Sequence, residues 1–284
     1  MGRVAAGAIA LALLLGATAC GERSEPTGSS AKLYPVTIQS GDRPLVVTAP
    51  AKRIAVLDEP AEKIIRGLGA ARRIVMEAPE VNVDFTALKK ARPDLIVASQ
   101  GADERVLSRA AALTKADVYL APGDSIHQVE RAITQLGLLA GKPVTARALV
   151  RHIEQRRKLV ETRLRRTPPV SVFVDTGLFT TVSDQSVIGD VIREAHGKNV
   201  AGATAEGGPV DLPDLLNLDP DVYLATSDTE LTLADLRRNP RARKLRAIKE
   251  GRFEVADAEL LDPGPSIGEG LLQVARLLHP DAFR

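Results

Sequence analysis

The chain has 284 residues, 44% of them hydrophobic, which is enough to fill the core of one large domain or of two ordinary ones. Lys and Arg number 38 against 36 Asp and Glu, so no strong electrostatic field points to nucleic acid as a partner. With no Trp, three Tyr and five Phe, the chain offers few rings for stacking on bases, sugars or a porphyrin.

Residues 1–19 are predicted to be a secretion signal and not part of the fold. A single early arginine precedes an apolar stretch that ends at Cys20, the one cysteine of the chain. The small residues Ala17, Thr18 and Ala19 directly before it resemble a bacterial lipobox, with Ala17 where Leu is usual. The resemblance implies cleavage before Cys20 and lipidation of its thiol; the alternative is an incidental cysteine in an ordinary signal peptide.

Residues 20–49 are predicted to form the lipidated N-terminus and a tether, because the stretch GERSEPTGSSAK is polar and contains Gly, Ser and Pro. A first α/β lobe is predicted over 50–142, opening with the apolar strand RIAVLD and continuing into a helix. Gly67 and Gly69 superficially resemble a dinucleotide-binding loop. They follow a helix instead of a strand, so they predict a helix C-terminus.

A repeat divides the chain into two similar halves. The stretch ARPDLIVAS at 91–99 returns as LDPDVYLAT at 218–226, and Asp84 upstream of the first copy aligns with Asp211 upstream of the second. In each copy a short helix, with Asp as N-cap, ends before Pro and is followed by an apolar run typical of a strand buried on both faces. Strands alternating with helices in both halves predict an α/β protein of two lobes, the second over 168–284.

Residues 143–167 are predicted to link the lobes as one long helix, from about Pro143 to Arg166. Leu149, Ile153 and Val160 lie on a narrow apolar stripe, and the opposite side is strongly cationic. A single stiff helix between two lobes would limit their relative motion.

The last helix is predicted within SIGEGLLQVARLLHPDAF, with Ser266 and Glu269 spaced as a capping box. Gly264, Ser266 and Gly268 also match the G-x-S-x-G pattern of a hydrolase nucleophile. The pattern lacks the strand that should precede it, and His279 stands before Asp281 instead of after an acid. The chain is therefore not expected to be an enzyme, and no catalytic residue is assigned.

Four histidines, at 127, 152, 196 and 279, are too dispersed for their spacing to predict a metal site. We expect no bound cofactor and no metal held directly by side chains. A zinc or manganese site built from three of these histidines remains an open alternative at this stage.

A ligand site is predicted where the two lobes face each other, because parallel α/β sheets bind ligands at the carboxyl ends of their strands. Asp58, Glu59 and Ser99 could instead serve only as helix caps. The residues predicted to line this cleft are Asp58, Glu59, Met76, Glu77, Ser99, Gln100, Thr176, Phe179, Thr226 and Ser227.

Five stretches carry a family resemblance: APAKRIAVLDEPAEKIIRGLGAARRIV, FTALKKARPDLIVAS, SVIGDVIREAHGKNVA, VDLPDLLNLDPDVYLAT and PGPSIGEGLLQVARLLHPDAF. Together they resemble, over residues 50–283 and in the right order, the periplasmic-binding-protein family that serves iron-siderophore, haem and cobalamin uptake. The resemblance implies two Rossmann-like lobes joined by a single long helix, with the ligand in a shallow cleft between them. It also implies delivery of the ligand to an ATP-driven importer.

Two positions depart from the family pattern. Members usually present a Glu on each lobe to pair with the permease, but the matching residues here are Thr86 and Pro213. The candidate docking residues are instead Asp84, Asp211 and Asp214, for which helix capping is the alternative role. Ser266 is a candidate ligand residue that stands where members often carry Arg, which removes a familiar anchor for catecholate or haem.

The expected function is that of a monomeric, membrane-anchored solute-binding lipoprotein that delivers a ferric siderophore or related metal chelate to an ABC permease dimer. Its expected location is the outer face of the cytoplasmic membrane, where the lipid on Cys20 would hold it, and no nucleic-acid partner is expected. The alternatives are a cobalamin- or haem-binding protein of the same fold, and a non-transport surface lipoprotein acting in assembly or signalling.

Overall fold

The structure is a computed structural model that describes residues 33–205 and 207–284. Residues Tyr34–Arg284 form one compact unit. In the described part of the chain, no helix combines the length and the apolar character needed to cross a membrane. The predicted signal peptide and Cys20 lie outside the described residues.

A β-hairpin occupies much of the segment that was predicted to be a tether. Strand β1 (Val36–Ser40) pairs antiparallel with β2 (Arg43–Val47). The hairpin packs its buried Ile38 against the first lobe, and the hydroxyl of Ser40 donates to the carbonyl of Val118 at 3.0 Å. Its alternating apolar pattern, on either side of a turn at Gly41, is typical of a half-buried strand pair. The prediction of a tether reaching to residue 49 is therefore wrong from residue 34 onward.

The first lobe is a parallel four-stranded sheet of order β4-β3-β5-β6, with helices connecting the strands. The central strands β3 and β5 are short and buried, as the continuous apolar runs predicted, whereas the outer strands β4 and β6 are only partly buried. Its elements are β3 (Ile54–Val56), α1 (Glu59–Gly67), β4 (Ile74–Met76), α2 (Phe85–Ala91), β5 (Leu95–Ser99), α3 (Glu104–Thr114), β6 (Asp117–Ala121) and α4 (Ile126–Leu139).

Helix α5 (Pro143–Leu164) follows and connects the two lobes, close to the predicted bounds. Pro143 stands at the first helical position, where its missing N–H costs no hydrogen bond. The buried residues Ile153, Val160 and Leu164 confirm the apolar stripe.

The second lobe is another parallel sheet, of order β10-β9-β7-β8. Its elements are β7 (Val170–Asp175), α6 (Val187–Glu194), β8 (Gly197–Asn199), α7 (Gly202–Ala205), α8 (Leu212–Leu218), β9 (Val222–Thr226), α9 (Leu233–Arg238), α10 (Arg246–Glu250), β10 (Phe253–Ala256), α11 (Ala258–Leu261) and α12 (Ile267–Leu278).

The predicted repeat is present as equivalent strands in the two sheets. Strands β5 and β9 occupy the same place in the two strand orders, each next to the first strand of its lobe. The helices before them both end in a left-handed residue, Arg92 at φ 47° and Asp219 at φ 38°. The repeated sequence therefore encodes the same helix-strand unit twice, which confirms the α/β fold of two lobes.

Close helix packing joins both lobes to α5. A Cβ on Gly137 of α4 would lie 2.3 Å from the Cβ of Ala146, and one on Gly268 of α12 would lie 3.0 Å from the Cα of Ile153. The distance at Gly137 is shorter than real Cβ atoms allow, and the distance at Gly268 is tighter than nearly all real Cβ contacts, so glycine permits this close packing. The linker helix is thus packed against a helix from each lobe.

The predicted capping box at the start of α12 is wrong. Ser266 has helical backbone angles, φ −85° and ψ −4°, and its side chain makes no capping hydrogen bond, because a cap needs an extended backbone. Glu269 instead accepts hydrogen bonds from Arg156 at 2.7 Å and His152 at 2.8 Å, both on α5. These bonds hold the first turn of α12 against the linker helix.

Candidate functional site

Loops from the two lobes meet at the carboxyl edges of the sheets. Lys63 on α1, which follows β3, donates to Asp262 after α11 at 2.6 Å. Gly123, which follows β6, packs against Pro263, because a Cβ placed on Gly123 would lie 3.2 Å from the Cβ of Pro263. The predicted site therefore lies along a boundary where strand-end loops of both lobes are in contact.

Asp58 and Ser99 are brought together, as predicted from their places after neighbouring strands. The hydroxyl of Ser99 donates to Asp58 Oδ1 at 2.9 Å, and its backbone N–H donates to Asp58 Oδ2. Asp58 also caps α1 by accepting from the N–H of Ala61 at 3.0 Å. Because the carboxylate already accepts three bonds, Asp58 mainly positions the two loops, and its proposed helix-cap role is confirmed.

The equivalent corner of the second lobe is buried. Asp175 ends β7 with no exposed surface and accepts from Tyr223 Oη at 2.5 Å and from the N–H of Gly177 at 2.8 Å. Burial, together with the nearby carboxylate, raises the pKa of the Tyr223 phenol. Thr226 is 3% exposed, and its hydroxyl donates to Asp228 and to the Asp175 carbonyl. Thr226 thus supports this corner and is not free to bind a ligand.

A strained loop follows β7 in the second lobe. Three successive residues have positive φ: Gly177 at 129°, Leu178 at 52° and Phe179 at 59°. Leu178 is 90% exposed, whereas Phe179 packs against the core of the lobe. Non-glycine residues in this region are costly and often mark functional loops. The predicted Phe179 therefore anchors the loop, and its neighbour Leu178 presents the apolar surface.

The hydroxyl of Thr176 is also committed within this loop, since it donates to the Thr180 carbonyl at 3.1 Å. Ser227, after β9, is exposed, and its Oγ accepts from the N–H of Ala258 at 3.0 Å. Gln100, after β5, is exposed, and its side-chain amide has no hydrogen-bond partner among the described residues. Gln100 therefore has its whole side-chain amide free, whereas Ser227 keeps its O–H donor and Thr176 has already used its own.

Glu59 and Glu77 both form ion pairs with residues of α1. Glu59 lies 2.9 Å from Lys63, and Glu77 pairs with Arg66. The hydrogen bond to Asp262 is the main reason why the pKa of Lys63 rises to about 12, so this amine stays charged. The two carboxylates are exposed at the first lobe's edge.

Met76 and Ser266, the other two predicted ligand residues, lie in supporting positions. Met76 packs against the small apolar cluster that contains Leu88 and Ile96, beneath the loops. Ser266 is partly exposed and follows Pro265, whose ring contacts Gly67 across the lobe boundary. Ser266 therefore lies beside the interlobe contact.

The candidate docking residues lie at the starts of the two repeated helices. Asp84 caps α2 by accepting from the N–H groups of Thr86 at 2.8 Å and Ala87 at 3.0 Å. Asp211 occupies the same place before α8 but makes no capping bond, and Asp214 is exposed beside it. The capping alternative therefore applies to Asp84 and does not apply to Asp211.

Among residues 33–205 and 207–284, no three His, Cys, Asp or Glu side chains are grouped closely enough to hold a metal ion. His196 and His279 contact each other, and His127 and His152 lie on two other elements, α4 and α5. His127 is exposed on α4, His152 contacts Glu269, and His279 Nε2 lies 3.3 Å from the carbonyl of His196. The open three-histidine alternative thus finds no support in the described chain.

Two concave regions lie away from the strand-end loops. One of 460 Å³ lies between α5 and the end of α6, and the other, of 750 Å³, lies along α2. Both are lined mainly by charged side chains. The direct contacts between the lobes lie instead at the boundary of the strand-end loops, where the topology predicts a ligand site.

Sequence reasoning missed Lys63, Asp262 and Leu178. Lys63 and Asp262 are 199 residues apart, and no spacing rule joins them. Leu178 could have been noticed as an apolar residue directly after Gly177 in a strand-end loop, a common sign of an exposed turn.

Comparison with known proteins gives one family match. The sequence model of the periplasmic binding protein family matches residues 68–260. A search of curated proteins finds no match.

Several solved structures share the fold at low sequence identity. CeuE of Helicobacter pylori with Ni(II) bound is 15% identical with a TM-score of 0.76, covering 87% of this chain and 90% of that one. An ABC-type Fe3+-hydroxamate transport protein of Saccharomonospora viridis is 20% identical with a TM-score of 0.67, covering 86% and 99%. MolA of Haemophilus influenzae bound to molybdate is 17% identical with a TM-score of 0.76, covering 87% and 92%.

Proposed function

We infer the function of this chain from one premise: it belongs to the periplasmic binding protein family. Members of this family bind small molecules outside the cytoplasm and deliver them to ABC permeases. We therefore propose that the chain is the solute-binding component of an ABC importer. The observation that carries the proposal is the family match over residues 68–260, on a fold whose strand-end loops meet between two lobes.

The ligand in this proposal is a ferric siderophore or a related metal chelate. Among the structural relatives, one belongs to an Fe3+-hydroxamate transport system, one has Ni(II) bound and one is bound to molybdate, and this supports the choice of a metal compound as the ligand. A chelator brings its own donor atoms to the metal. The protein then needs to supply shape, hydrogen bonds and charge, which loops at the mouth of a cleft can provide.

Charge at the carboxyl edges favours a cationic or uncharged chelate over an anionic one. The loops that follow the strands are rich in carboxylates. Two cations beside them, Lys63 and Arg66, are paired with Asp262 and Glu77, and Arg105 lies next to Asp103 without an ion pair in the described chain. Such a surface attracts cations and repels anions, most strongly where water is excluded. The carboxylates of these loops and of the first turns of the helices that follow them are Glu59, Glu77, Glu80, Asp103, Glu104, Asp124, Asp228, Glu230, Asp257, Glu259 and Asp262.

Two side chains are proposed to make direct contact with the chelate. Leu178 supplies exposed apolar surface on the loop after β7, and Gln100 supplies a free amide on the loop after β5. Asp58, Ser99, Asp175 and the supporting hydroxyls hold these loops in place. Contacts from both lobes would then close on one ligand.

The proposal includes an anchor at the outer face of the cytoplasmic membrane. It rests on the lipobox-like residues before Cys20, which lie outside the described part of the chain. We expect Cys20→Ala to abolish incorporation of labelled palmitate in the host. Incorporation that persists in this variant would contradict lipidation at Cys20.

Calorimetric titration with a panel of metal chelates tests the function. The panel contains a cationic ferric trihydroxamate such as ferrioxamine B, an anionic ferric tris-catecholate, haem, a corrinoid and molybdate. We expect the ferric trihydroxamate to bind more tightly than the ferric tris-catecholate. Leu178→Ala should weaken the binding about tenfold, since it removes apolar contact area. The exposed Leu113→Ala on α3 is the matched control and should bind as the wild type does. Failure to bind any member of the panel would refute the proposal.

A further inference from the structure

The opposite edge of the first lobe carries a concentration of positive charge. Strands β3, β4 and β5 begin side by side, since Ile54 pairs with both Ile74 and Leu95. Some cationic residues directly precede the first residue of a strand, and others lie in or just after the last turn of α2. We call this set the basic edge: Lys52, Arg53, Arg72, Arg73, Lys89, Lys90 and Arg92.

A shallow groove of 750 Å³ runs along part of this edge. Its lining residues are Arg53, Thr86, Lys89, Lys90 and Arg92, so four of the five are cations and none is a carboxylate. Lys89, Lys90 and Arg92 are exposed. The groove therefore offers a concave surface with positive charge accessible to solvent.

The cations of the basic edge are not held in ion pairs within the described chain. None of its seven side chains forms an ion pair with a described carboxylate. The nearby Asp94 accepts instead from the backbone N–H groups of Lys52 at 2.8 Å and Arg53 at 2.9 Å. The Arg53 guanidinium donates to the carbonyls of Ala91 at 3.1 Å and Arg92 at 3.0 Å, which satisfies the negative end of α2.

The fold itself does not require these cations. In the second copy of the repeat, Asp219 takes the place of Arg92 with the same left-handed backbone, and Asn217 takes the place of Lys90. At that edge Arg246 is paired with Asp221 at 2.8 Å. Because the equivalent unit folds with neutral and acidic residues, the charge of the first lobe calls for an explanation outside the fold.

The start of the compact unit lies at the same edge. The Tyr34 hydroxyl donates to the carbonyl of Leu138, and the N–H of Ala51 donates to the carbonyl of the next residue, Leu139, at 2.8 Å. Ala51 directly precedes Lys52 of the basic edge. Tyr34, the first residue of the compact unit, therefore lies near the basic edge.

We propose that the basic edge is a docking surface for a membrane that contains anionic lipid headgroups. Basic residues next to a membrane attachment are attracted to anionic lipid, and the attraction extends over about one Debye length. In the proposed role a tether from Cys20 reaches the domain at Tyr34, near these cations, which favours a lipid surface as their partner. The inference rests on the proposed membrane-tethered role. Docking in this orientation directs the strand-end loops of the first lobe away from the membrane.

Sedimentation with lipid vesicles tests the surface. The chain from Cys20 onward, with Cys20→Ser to prevent lipidation, is mixed with phosphatidylcholine vesicles with or without phosphatidylglycerol. We expect a preference for phosphatidylglycerol that disappears at high salt. Reversing two charges with Lys89→Glu and Lys90→Glu should weaken the binding at least about tenfold. The control, Arg243→Glu with Lys244→Glu, changes the charge equally at two exposed, unpaired cations of the second lobe.

Three results would overturn the inference: no preference of the wild type for phosphatidylglycerol, equal loss of binding in both double variants, or displacement of the protein from vesicles by inorganic phosphate at constant ionic strength. The last result would indicate a site for small anions. Thermal unfolding of each variant shows whether it is folded. Chelate titration of Lys89→Glu with Lys90→Glu separates the two proposals, because loss of vesicle binding with normal chelate binding concerns the basic edge alone.

Discussion

Arg157 connects three parts of the molecule through one side chain. From α5 its guanidinium lies 2.7 Å from Glu194 on α6 and 3.3 Å from Glu130 on α4. Glu130 is 7% exposed, so its charge depends on a nearby cation. The hydrogen bond to Glu194 is the main reason why the pKa of Arg157 is raised. Since each lobe contributes one carboxylate, this contact opposes relative motion of the lobes.

We expect Arg157→Met to lower the free energy of unfolding by about 2 kcal/mol, because it leaves the buried Glu130 without its cation. Urea denaturation measures the change. The adjacent Lys158 forms an exposed pair with Glu161, so Lys158→Met should change stability by less than about 0.5 kcal/mol. Equal effects of the two substitutions would show that the interlobe pair adds nothing.

His279 gives the protein a pH-dependent contribution to stability. Its side chain is 6% exposed at the end of α12, and burial lowers its pKa below the usual range. The unfolded chain therefore binds a proton at higher pH than the folded one. The stabilisation is present above the unfolded value of about 6.5 and is lost as pH falls below it.

We expect the free energy of unfolding to be smaller at about pH 5 than at about pH 7, with part of that difference removed by His279→Gln. Urea denaturation at the two pH values measures it. The exposed His127→Gln serves as control and should keep the full pH dependence. If His279→Gln also keeps the full pH dependence, groups other than His279 cause the loss of stability at low pH.

At the level of elements, the repeat and the linker helix were predictable because each has a local signal. Apolar runs closed by Ser99 and Thr226 marked the two equivalent strands, and a sustained stripe marked α5. The hairpin was missed because two five-residue strands next to a polar stretch carry a weak pattern. The prediction of a capping box failed because Ser266 has helical backbone angles, which the spacing of Ser266 and Glu269 does not reveal.

Helix packing on the linker depends on glycine. We expect Gly137→Ala to lower the free energy of unfolding by about 1–3 kcal/mol, because its Cβ would lie 2.3 Å from that of Ala146. Gly101→Ala is the matched control, since nothing lies within 4 Å of a Cβ there. Urea denaturation compares the two variants. If Gly137→Ala leaves the free energy of unfolding unchanged, α4 and α5 can move apart without loss of stability.

At the level of the whole molecule, the two edges of the first lobe differ in charge and in proposed role. The carboxyl edge carries the acidic loops that meet the second lobe, and the amino edge carries the unpaired cations next to Tyr34. Docking to a permease is proposed for the carboxyl side, where Asp211 and Asp214 stand exposed. Ligand capture, lipid contact and delivery would then use separate surfaces.

We expect Asp211→Arg to abolish uptake of the bound chelate by cells while binding by the purified protein is unchanged. The carboxylate makes no capping bond, so its reversal should cost less than about 1 kcal/mol of stability. Asp281→Arg, at an exposed acidic residue near the end of the chain, is the control and should leave uptake intact. Normal uptake by Asp211→Arg would remove Asp211 from the docking surface.

Hydrogen exchange with and without the bound chelate tests most directly whether the ligand lies between the lobes. Slower exchange is expected in the loops after β5 and β7, around Gln100 and Leu178, because one ligand would cover both. The basic edge and the outer face of α5 should exchange unchanged. Slowing confined to one lobe, or to the cavity beside Arg157 and Glu194, would contradict a ligand site shared by the two lobes.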